Sequence, residues 1–179
     1  ISMKPFAYFD PESIDEVVRL LTEKEKCELI AGGTDLLVNI KQELSSPDAL
    51  ISLRRIKEMK TIRKETNGSL TIGAATPLGK IVTSPEVQDF QVAISNAAEK
   101  VGSKQSRNRG TIGGNICNAS PAADGVPALL VLDAQVELAS GNGTRTMALS
   151  EFIQGNRKTA RQPDEIVTGV VIPKTSTVG

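Results

Sequence analysis

The segment from residue 110 to residue 124 has a composition that suits ligand binding better than packing in a core. Glycines allow backbone N–H groups to approach a ligand closely, and successive exposed N–H groups form a concavity that binds anions such as phosphate. The short polar side chains around them add hydrogen-bond donors without adding charge. The segment contains three glycines, four hydroxyl or amide side chains and one carboxylate: Gly110, Gly113, Gly114, Thr111, Asn115, Asn118, Ser120 and Asp124.

A second glycine-rich turn, Ala-Gly-Gly-Thr-Asp at residues 31–35, follows the apolar pair Leu29 and Ile30 and precedes a predicted short helix at residues 36–40. Strand, glycine turn and helix start form an order that suits phosphate, because the helix N-terminus adds its dipole to the N–H groups of the turn. Alone, the turn is a weak signal, since the same residues also form ordinary tight turns. Together, the two segments predict loops that hold the two ends of one phosphate bridge.

The amino-acid composition argues against several classes of binding partner. The 179 residues, 39% of them hydrophobic, are enough for one domain or for two small lobes that share an interface. The 21 basic and 21 acidic residues cancel without long blocks of one sign, which argues against nucleic acid and against an anionic membrane as partners. No apolar run approaches the roughly 20 residues of a membrane span, and no secretion signal is visible, so we expect a cytoplasmic location.

The missing residue types constrain the chemistry further. The chain has no histidine, which excludes histidine acid–base catalysis and histidine-ligated metal. Its two cysteines, Cys27 and Cys117, cannot by themselves supply the four thiolates that an iron–sulfur cluster normally needs. We therefore expect no metal site and no catalytic side chain in this chain, and any redox centre must be a bound cofactor.

The predicted helices and strands that would position these loops do not alternate regularly along the chain. Helical spacing predicts a first helix that starts at Asp10-Pro11 or at Ser13 and ends near residues 24–26, and further helices over 76–82, 84–101 and 126–132. Strands are expected at 27–31, 49–53 and 165–172, with hairpins around Asn67-Gly68 and around residues 141–143. Residues 54–60 and 102–109 are interpreted as polar connectors. The second connector contains the cations Lys104, Arg107 and Arg109, for which a solvated loop is favoured over phosphate contacts.

This mixture of short helices and hairpins predicts an α+β fold rather than a doubly wound parallel sheet. The dinucleotide fingerprint Gly-x-Gly-x-x-Gly does not follow a first strand, and no Walker lysine follows either glycine segment. We place a boundary between two lobes near the first hairpin, which gives lobes of residues 1–58 and 59–179.

Four motifs together resemble the FAD-binding subunit of the molybdenum hydroxylases, the family of xanthine dehydrogenase and aerobic carbon monoxide dehydrogenase. They occur in the family's order and span nearly the whole chain. They are Ile-Ala-Gly-Gly-Thr-Asp-Leu-Leu at 30–37, Thr-Ile-Gly-Gly-Asn at 111–115, Asn-x-Ser-Pro-x-x-Asp at 118–124, and Arg-Lys-Thr-Ala at 157–160 with Pro-Asp-Glu-Ile-Val at 163–167.

The resemblance implies a two-lobed FAD-binding domain of the type found in vanillyl-alcohol oxidase and UDP-N-acetylenolpyruvoylglucosamine reductase, with FAD between the lobes. It implies that the first loop wraps the pyrophosphate and that the second segment holds the pyrophosphate and ribityl regions. Asp124 would accept hydrogen bonds from cofactor hydroxyls, and Val167 would approach the flavin through its backbone. The implied FAD-binding residues are Leu29, Ile30, Ala31, Gly32, Gly33, Thr34, Asp35, Leu36, Thr111, Gly114, Asn115, Asn118, Ser120, Asp124 and Val167.

The function implied by the resemblance is electron transfer. In the family, a molybdopterin subunit oxidises the substrate, [2Fe-2S] centres on another subunit carry the electrons singly, and the flavin passes them on, often to NAD. The family continues past the last predicted strand into a further C-terminal domain, whereas this sequence stops at Gly179, which implies either a fragment or a separate chain for that domain. Val101 also stands where some members stack an aromatic ring on the flavin.

Two other functions remain open at this point. One is a flavoenzyme of the same broad fold that acts on its own small substrate, and the other is a nucleotide-binding module without redox chemistry. Bound FAD would distinguish the redox functions from the second alternative, and copurifying iron–sulfur and molybdopterin chains would distinguish a subunit from a stand-alone enzyme. Valine at Gly33 or Gly114 is expected to abolish FAD binding by occupying the space of the phosphate.

Overall fold

The computed structural model describes residues 4–120 and 125–174. Its first part is a three-stranded parallel sheet in the order β1-β3-β2, with two helices in the connections. The elements are β1 (Ala7–Phe9), α1 (Ile14–Glu23), β2 (Cys27–Ile30), α2 (Leu36–Lys41) and β3 (Ala49–Ser52).

Helix α1 begins at the second of its two predicted starts. The Ser13 hydroxyl accepts a hydrogen bond from the Glu16 backbone N–H at 3.2 Å, and the Glu16 carboxylate accepts one from the Glu12 N–H. The Ser13 hydroxyl thus satisfies one of the N–H groups that a helix start otherwise leaves without acceptors, and the Glu16 carboxylate ties the preceding residue to the first turn. The predicted apolar face packs into the core, with Val17 fully buried.

The second part is built on a five-stranded antiparallel sheet in the order β4-β5-β10-β6-β7. Both predicted hairpins are present. The first closes through a longer loop than the predicted two-residue turn, because the Glu65 N–H donates to the Ser69 carbonyl and Gly68 takes the left-handed conformation at φ 84°. The strands are β4 (Ile62–Lys64), β5 (Leu70–Gly73), β6 (Gln135–Ser140), β7 (Gly143–Ala148) and β10 (Ile166–Ile172).

Short helices and a small hairpin fill the connections of this second part, consistent with the predicted mixture of helices and strands. The helix α4 is interrupted at Gln91, whose extended backbone (φ −163°, ψ 104°) the sequence did not predict. The elements are α3 (Leu78–Thr83), α4 (Pro85–Lys100), α5 (Lys104–Arg109), α6 (Ile112–Asn118), α7 (Val126–Val131), α8 (Leu149–Phe152), β8 (Ile153–Gly155) and β9 (Lys158–Thr159).

Both predicted polar connectors have more structure than expected. Residues 102–109 include α5, which begins at Ser103 because the hydroxyl of that residue accepts the Ser106 N–H. The Arg107 guanidinium donates to the carbonyls of Val101 and Gly102 and so caps the end of α4. In the other connector, a 3-10 helix at Lys57–Lys60 buries Met59 completely, because an apolar residue in a polar segment can anchor it to the core.

One continuous apolar cluster joins the two parts. It includes Val17 of α1, Ile51 of β3, Ile72 of β5 and Val170 of β10. The strands of the parallel sheet end at Ser52 and those of the antiparallel sheet begin at Ile62, while the division into lobes 1–58 and 59–179 stays a prediction. Among the helices of residues 4–120 and 125–174, none has the length and apolar character needed to cross a bilayer.

Candidate functional site

The two glycine segments face a common cleft of ≈ 610 Å³. The cleft lies where the C-terminal end of β2 and the start of α2 meet α6 and the first residues of β10. Of the residues predicted to bind a ligand, the following line the cleft: Leu29, Ile30, Ala31, Gly32, Gly33, Thr34, Asp35, Leu36, Thr111, Gly114, Asn115, Asn118 and Val167.

Two predicted residues are not in this set. Ser120, which comes two residues after the end of α6, is not among the described residues that line the cleft. Asp124 lies outside the described residues, so its predicted contact with the ligand stays a prediction.

The first loop presents a run of backbone donors to the cleft. Within residues 4–120 and 125–174, none of the N–H groups from Gly32 to Leu36 has a protein acceptor. The chain reverses at Gly33 through a left-handed backbone (φ +73°), and the Gly33 carbonyl accepts the Leu37 N–H at 3.2 Å as α2 begins. Consecutive N–H groups without acceptors, beside a helix start, are a donor set that suits an anion, and anion binding at this loop stays a prediction.

The backbone conformation of Gly33 itself requires glycine. A Cβ atom built on Gly33 would lie 3.1 Å from the Leu37 side chain and 3.2 Å from the Ile30 side chain. Glycine is required here because L side chains rarely adopt a φ of +73°. A side chain at Gly33 would therefore disturb the loop itself, which gives a second reason to expect that valine there impairs ligand binding.

The two glycine segments touch each other directly. A Cβ atom on Gly32 would lie 2.2 Å from the carbonyl oxygen of Arg109, and one on Gly110 would lie 3.6 Å from the Thr34 hydroxyl oxygen. Only glycine at residue 32 allows this approach, because the neighbour it meets is backbone. The contact brings the start of α6 beside the N–H groups of the first loop.

The second segment is a helix start and not the loop that the sequence predicted. Thr111 precedes α6, and its hydroxyl accepts the Gly114 N–H at 3.1 Å. The N–H groups of Ile112 and Gly113 donate to the carbonyls of Thr76 and Ala74. The backbone N–H groups of this first turn are thus paired within the protein. On this wall, a ligand can contact only side chains and the space beside Gly114.

Gly114 and Gly113 have different roles in α6. A Cβ on Gly113 would lie 2.7 Å from both the Cβ and the carbonyl oxygen of Ala74, so Gly113 allows the helix to pack against the chain after β5. A Cβ on Gly114 would meet only the Thr111 hydroxyl, at 3.1 Å, and would otherwise project into the cleft. Gly114 leaves room for a ligand, and the half-buried amides of Asn115 and Asn118 lie on the same wall.

Several residues that line the cleft were not among the predicted binding residues. Arg157 and Thr159 belong to the motif at 157–160, so their position could have been found from it, whereas no signal in the sequence marked Arg161 or Cys117. Val101 also lines the cleft, consistent with its predicted place near the ligand. Burial raises the pKa of the Cys117 thiol to about 11, and the positive charge of Arg161 acts in the opposite direction.

An ion pair between the buried Glu165 carboxylate and the partly exposed Arg145 guanidinium lies at the start of β10. The Arg145 guanidinium donates to both carboxylate oxygens of Glu165, at 2.6 and 2.9 Å, and the Gln162 N–H donates to the same carboxylate at 2.7 Å. The Arg145 hydrogen bonds hold the pKa of Glu165 below its usual value, although burial acts against them. Arg161 donates from Nη1 to the Glu165 carbonyl at 2.7 Å and so joins this network to the cleft.

We expect Glu165→Gln to destabilise the protein by about 1–3 kcal/mol at pH 7, because it removes charge-assisted hydrogen bonds from a buried position. A carboxyl group with a lowered pKa in the folded state stabilises at pH values above its unfolded pKa of about 4.3, and this stabilisation disappears as the pH falls through the folded pKa. Urea unfolding of both proteins should therefore show a difference in unfolding free energy that shrinks below about pH 4. Glu151→Gln, at an exposed helix position, is the control, and a difference independent of pH would contradict this role for Glu165.

Comparison with known proteins gives concordant results. The family described as FAD binding domain in molybdopterin dehydrogenase matches residues 4–175. The chain is 41% identical over 177 residues to the nicotinate dehydrogenase FAD-subunit of Eubacterium barkeri, covering 96% of this chain and 60% of that protein. It is 34% identical over 169 residues to the carbon monoxide dehydrogenase medium chain of Hydrogenophaga pseudoflava, covering 94% and 58%.

Solved structures agree with this match. Carbon monoxide dehydrogenase from Hydrogenophaga pseudoflava, in a form that lacks the Mo-pyranopterin moiety, superposes with a TM-score of 0.94 at 32% identity, covering 98% of this chain and 61% of that one. Quinoline 2-oxidoreductase from Pseudomonas putida 86 gives a TM-score of 0.95 at 28% identity, with coverage of 98% and 61%. The chain thus spans about three fifths of the length of these relatives.

Proposed function

The chain belongs to the family of FAD-binding domains in molybdopterin dehydrogenases, and on that premise we propose that its cleft binds FAD for electron transfer within a molybdopterin-containing hydroxylase or dehydrogenase. The observation that carries the proposal is the run of N–H groups from Gly32 to Leu36, which have no acceptor in the described part of the chain and face the cleft shared with α6. A diphosphate needs donors of this kind.

The first loop and α6, which form the two walls of the cleft, bind different parts of FAD in this proposal. The N–H groups of Gly32, Gly33 and Thr34 donate to the diphosphate oxygens, and the Thr34 hydroxyl adds a donor from the same turn. On α6, Gly114 leaves space for the diphosphate, while Asn115 and Asn118 donate to it and to the ribityl hydroxyls. Asp124 and Ser120 contribute to the same hydroxyl contacts, and the backbone of Val167 approaches the flavin.

We also propose that the fold is the two-lobed type of vanillyl-alcohol oxidase and UDP-N-acetylenolpyruvoylglucosamine reductase, with lobes of residues 1–58 and 59–179. The separate sheets support this division, since the parallel sheet ends at Ser52 and the antiparallel sheet begins at Ile62. A cleft at the junction of two lobes is a common position for a cofactor.

The partners in this proposal are an iron–sulfur subunit and a molybdopterin subunit of one complex. Similar chains are named as the FAD-subunit or medium chain of nicotinate and carbon monoxide dehydrogenases, which supports membership of a multi-subunit enzyme. When bound, FAD can accept electrons one at a time from [2Fe-2S] centres and release two to an acceptor such as NAD. This chain's residues bind and orient the cofactor, and none is proposed as a proton donor or nucleophile.

Titration of the purified chain with FAD tests the proposal. We expect saturable quenching of flavin fluorescence at one FAD per chain and a shifted flavin absorption spectrum, with ADP alone binding more weakly because it lacks the flavin. Equal affinity for ADP and FAD, or no binding of FAD, would contradict a redox function. Isolation of the native complex, followed by mass spectrometry for iron–sulfur and molybdopterin chains, distinguishes the subunit from a stand-alone flavoenzyme.

A further inference from the structure

The residues that line the cleft differ in charge between its two walls. Near β2 and α2 the lining includes the carboxylates of Glu28 and Asp35 and the amide of Asn39. Near β9 and the start of β10 it includes the basic residues Arg157 and Arg161. The proposed diphosphate donors, from Gly32 to Leu36, belong to the same wall as Glu28 and Asn39. This charge distribution suits a ligand that carries hydroxyl groups at one end and gains negative charge at the other.

Arg161 differs from the other cleft cation in being fixed in place. Its Nη1 atom donates to the carbonyl of Glu165 at 2.7 Å and to that of Gln162 at 3.3 Å, and the residue is half-buried. The Glu165 carboxylate is already paired with the Arg145 guanidinium. The network Arg145–Glu165–Arg161 therefore keeps one positive charge that no carboxylate within it neutralises.

Helix α6 runs from the donor loop toward the segment that carries Arg157 and Arg161. The start of α6 at Thr111 follows Gly110, which lies against Thr34 of the donor loop. Cys117 lies six residues further on, about 9 Å along the helix axis at 1.5 Å per residue, and it lines the same cleft as Arg161. The Arg157 N–H also donates to the Ala119 carbonyl at the end of α6. This separation is comparable with the length of the five-carbon ribityl chain that joins the diphosphate of FAD to its ring.

We infer that Arg161 faces the pyrimidine edge of the isoalloxazine ring and stabilises the negative charge that the ring gains on reduction. The inference rests on the proposed function and deepens it, because it fixes the direction of FAD in the cleft. The adenosine end then lies toward Glu28 and Asn39, whose side chains can hydrogen-bond to ribose hydroxyls and adenine. Two electrons and one proton convert the oxidised ring to a reduced ring with one negative charge, centred on N1 and the C2 carbonyl. A fixed cation beside these atoms favours the reduced form.

The test is the two-electron reduction potential of the FAD-loaded full chain, measured by dithionite titration with a reference dye. We expect Arg161→Met to lower the potential by about 30 mV or more, which corresponds to a tenfold loss in relative stability of the reduced form for a two-electron couple. Arg161→Lys should restore most of the difference, because it keeps the charge although it cannot reproduce both anchoring hydrogen bonds. Lys158→Met, at an exposed cation outside the cleft lining, is the matched control and should keep the potential of the unsubstituted chain.

The outcomes separate this inference from the proposed function. FAD loading, measured first from the absorption ratio of flavin to protein, tests the proposed function, and a chain that never loads FAD overturns both. If the unsubstituted chain loads FAD and Arg161→Met has an equal or higher potential, Arg161 does not stabilise the reduced ring. If the lysine variant is as low as the methionine variant, the effect arises from the lost anchoring hydrogen bonds and the charge assignment fails. Arg161→Gln replaces the methionine variant if that variant does not fold.

Discussion

Gly32→Ala is expected to destabilise the protein by about 3 kcal/mol, the upper end of ordinary overpacking costs, and to abolish FAD binding. The added Cβ would lie 2.2 Å from the Arg109 carbonyl oxygen and 2.8 Å from the Gly110 Cα. Both neighbours are backbone atoms, so no side chain can rotate to relieve the contact. The two glycine segments must then separate, which widens the cleft at the point where the diphosphate is proposed to bind.

Urea unfolding and FAD titration of the same preparations measure both effects. Gly141→Ala is the matched control, because a Cβ there would lie 4.0 Å from the nearest atom outside its own neighbourhood, in the Val18 side chain. We expect the control to unfold within about 0.5 kcal/mol of the unsubstituted protein and to bind FAD normally. A Gly32→Ala protein of normal stability that still bound FAD would show that the two segments need not touch.

Gly114→Val should have the opposite profile, with FAD binding lost and the fold retained. The side chain would project into the cleft, where only the Thr111 hydroxyl lies within 4 Å of its Cβ position. We expect the affinity for FAD to fall about 100-fold or more, equivalent to about 2.8 kcal/mol. The free energy of unfolding should change by no more than about 1 kcal/mol, the usual value of the cap hydrogen bond that the valine could disturb.

Gly113→Ala provides the contrasting variant one residue away. Its Cβ would meet the Ala74 Cβ and carbonyl oxygen at 2.7 Å, so this smaller substitution should reduce stability more than Gly114→Val does. Fluorescence titration with FAD and urea unfolding again give the two quantities. Normal FAD affinity in a folded Gly114→Val protein would place the diphosphate away from α6.

The local elements of this fold were largely predictable because they depend on neighbouring residues. Ser13 and Ser84 precede helices that begin where a capping hydroxyl predicts them. Asn67-Gly68 and Gly141-Asn142 lie between the strand pairs that they were predicted to join. The helix α5 is not predictable in this way because its sequence, Lys-Gln-Ser-Arg-Asn-Arg, has no apolar face, and periodicity of apolar residues is the main sequence signal of a helix.

The helix over Gly113 and Gly114 is also not predictable from local composition. Glycines disfavour helices in isolation by about 1 kcal/mol each, so a loop was the natural prediction. The Thr111 cap is local, but the helix also depends on the chain after β5, nearly forty residues earlier, where Thr76 and Ala74 accept the N–H groups of Ile112 and Gly113 and Gly113 packs closely against Ala74. Long-range packing of this kind leaves no mark in local composition.

By itself, the sequence determined that two glycine-bearing segments could bind a phosphate-containing cofactor, and that a chain without histidine would depend on that cofactor for any redox chemistry. These conclusions follow from residue type and local spacing. Only the tertiary structure decided that the N–H groups from Gly32 to Leu36 remain available while those at the start of α6 are used, and that Arg161 lies in the same cleft. Which donors are used, and which charges meet, depends on partners far away in the chain, and folding alone brings those partners together.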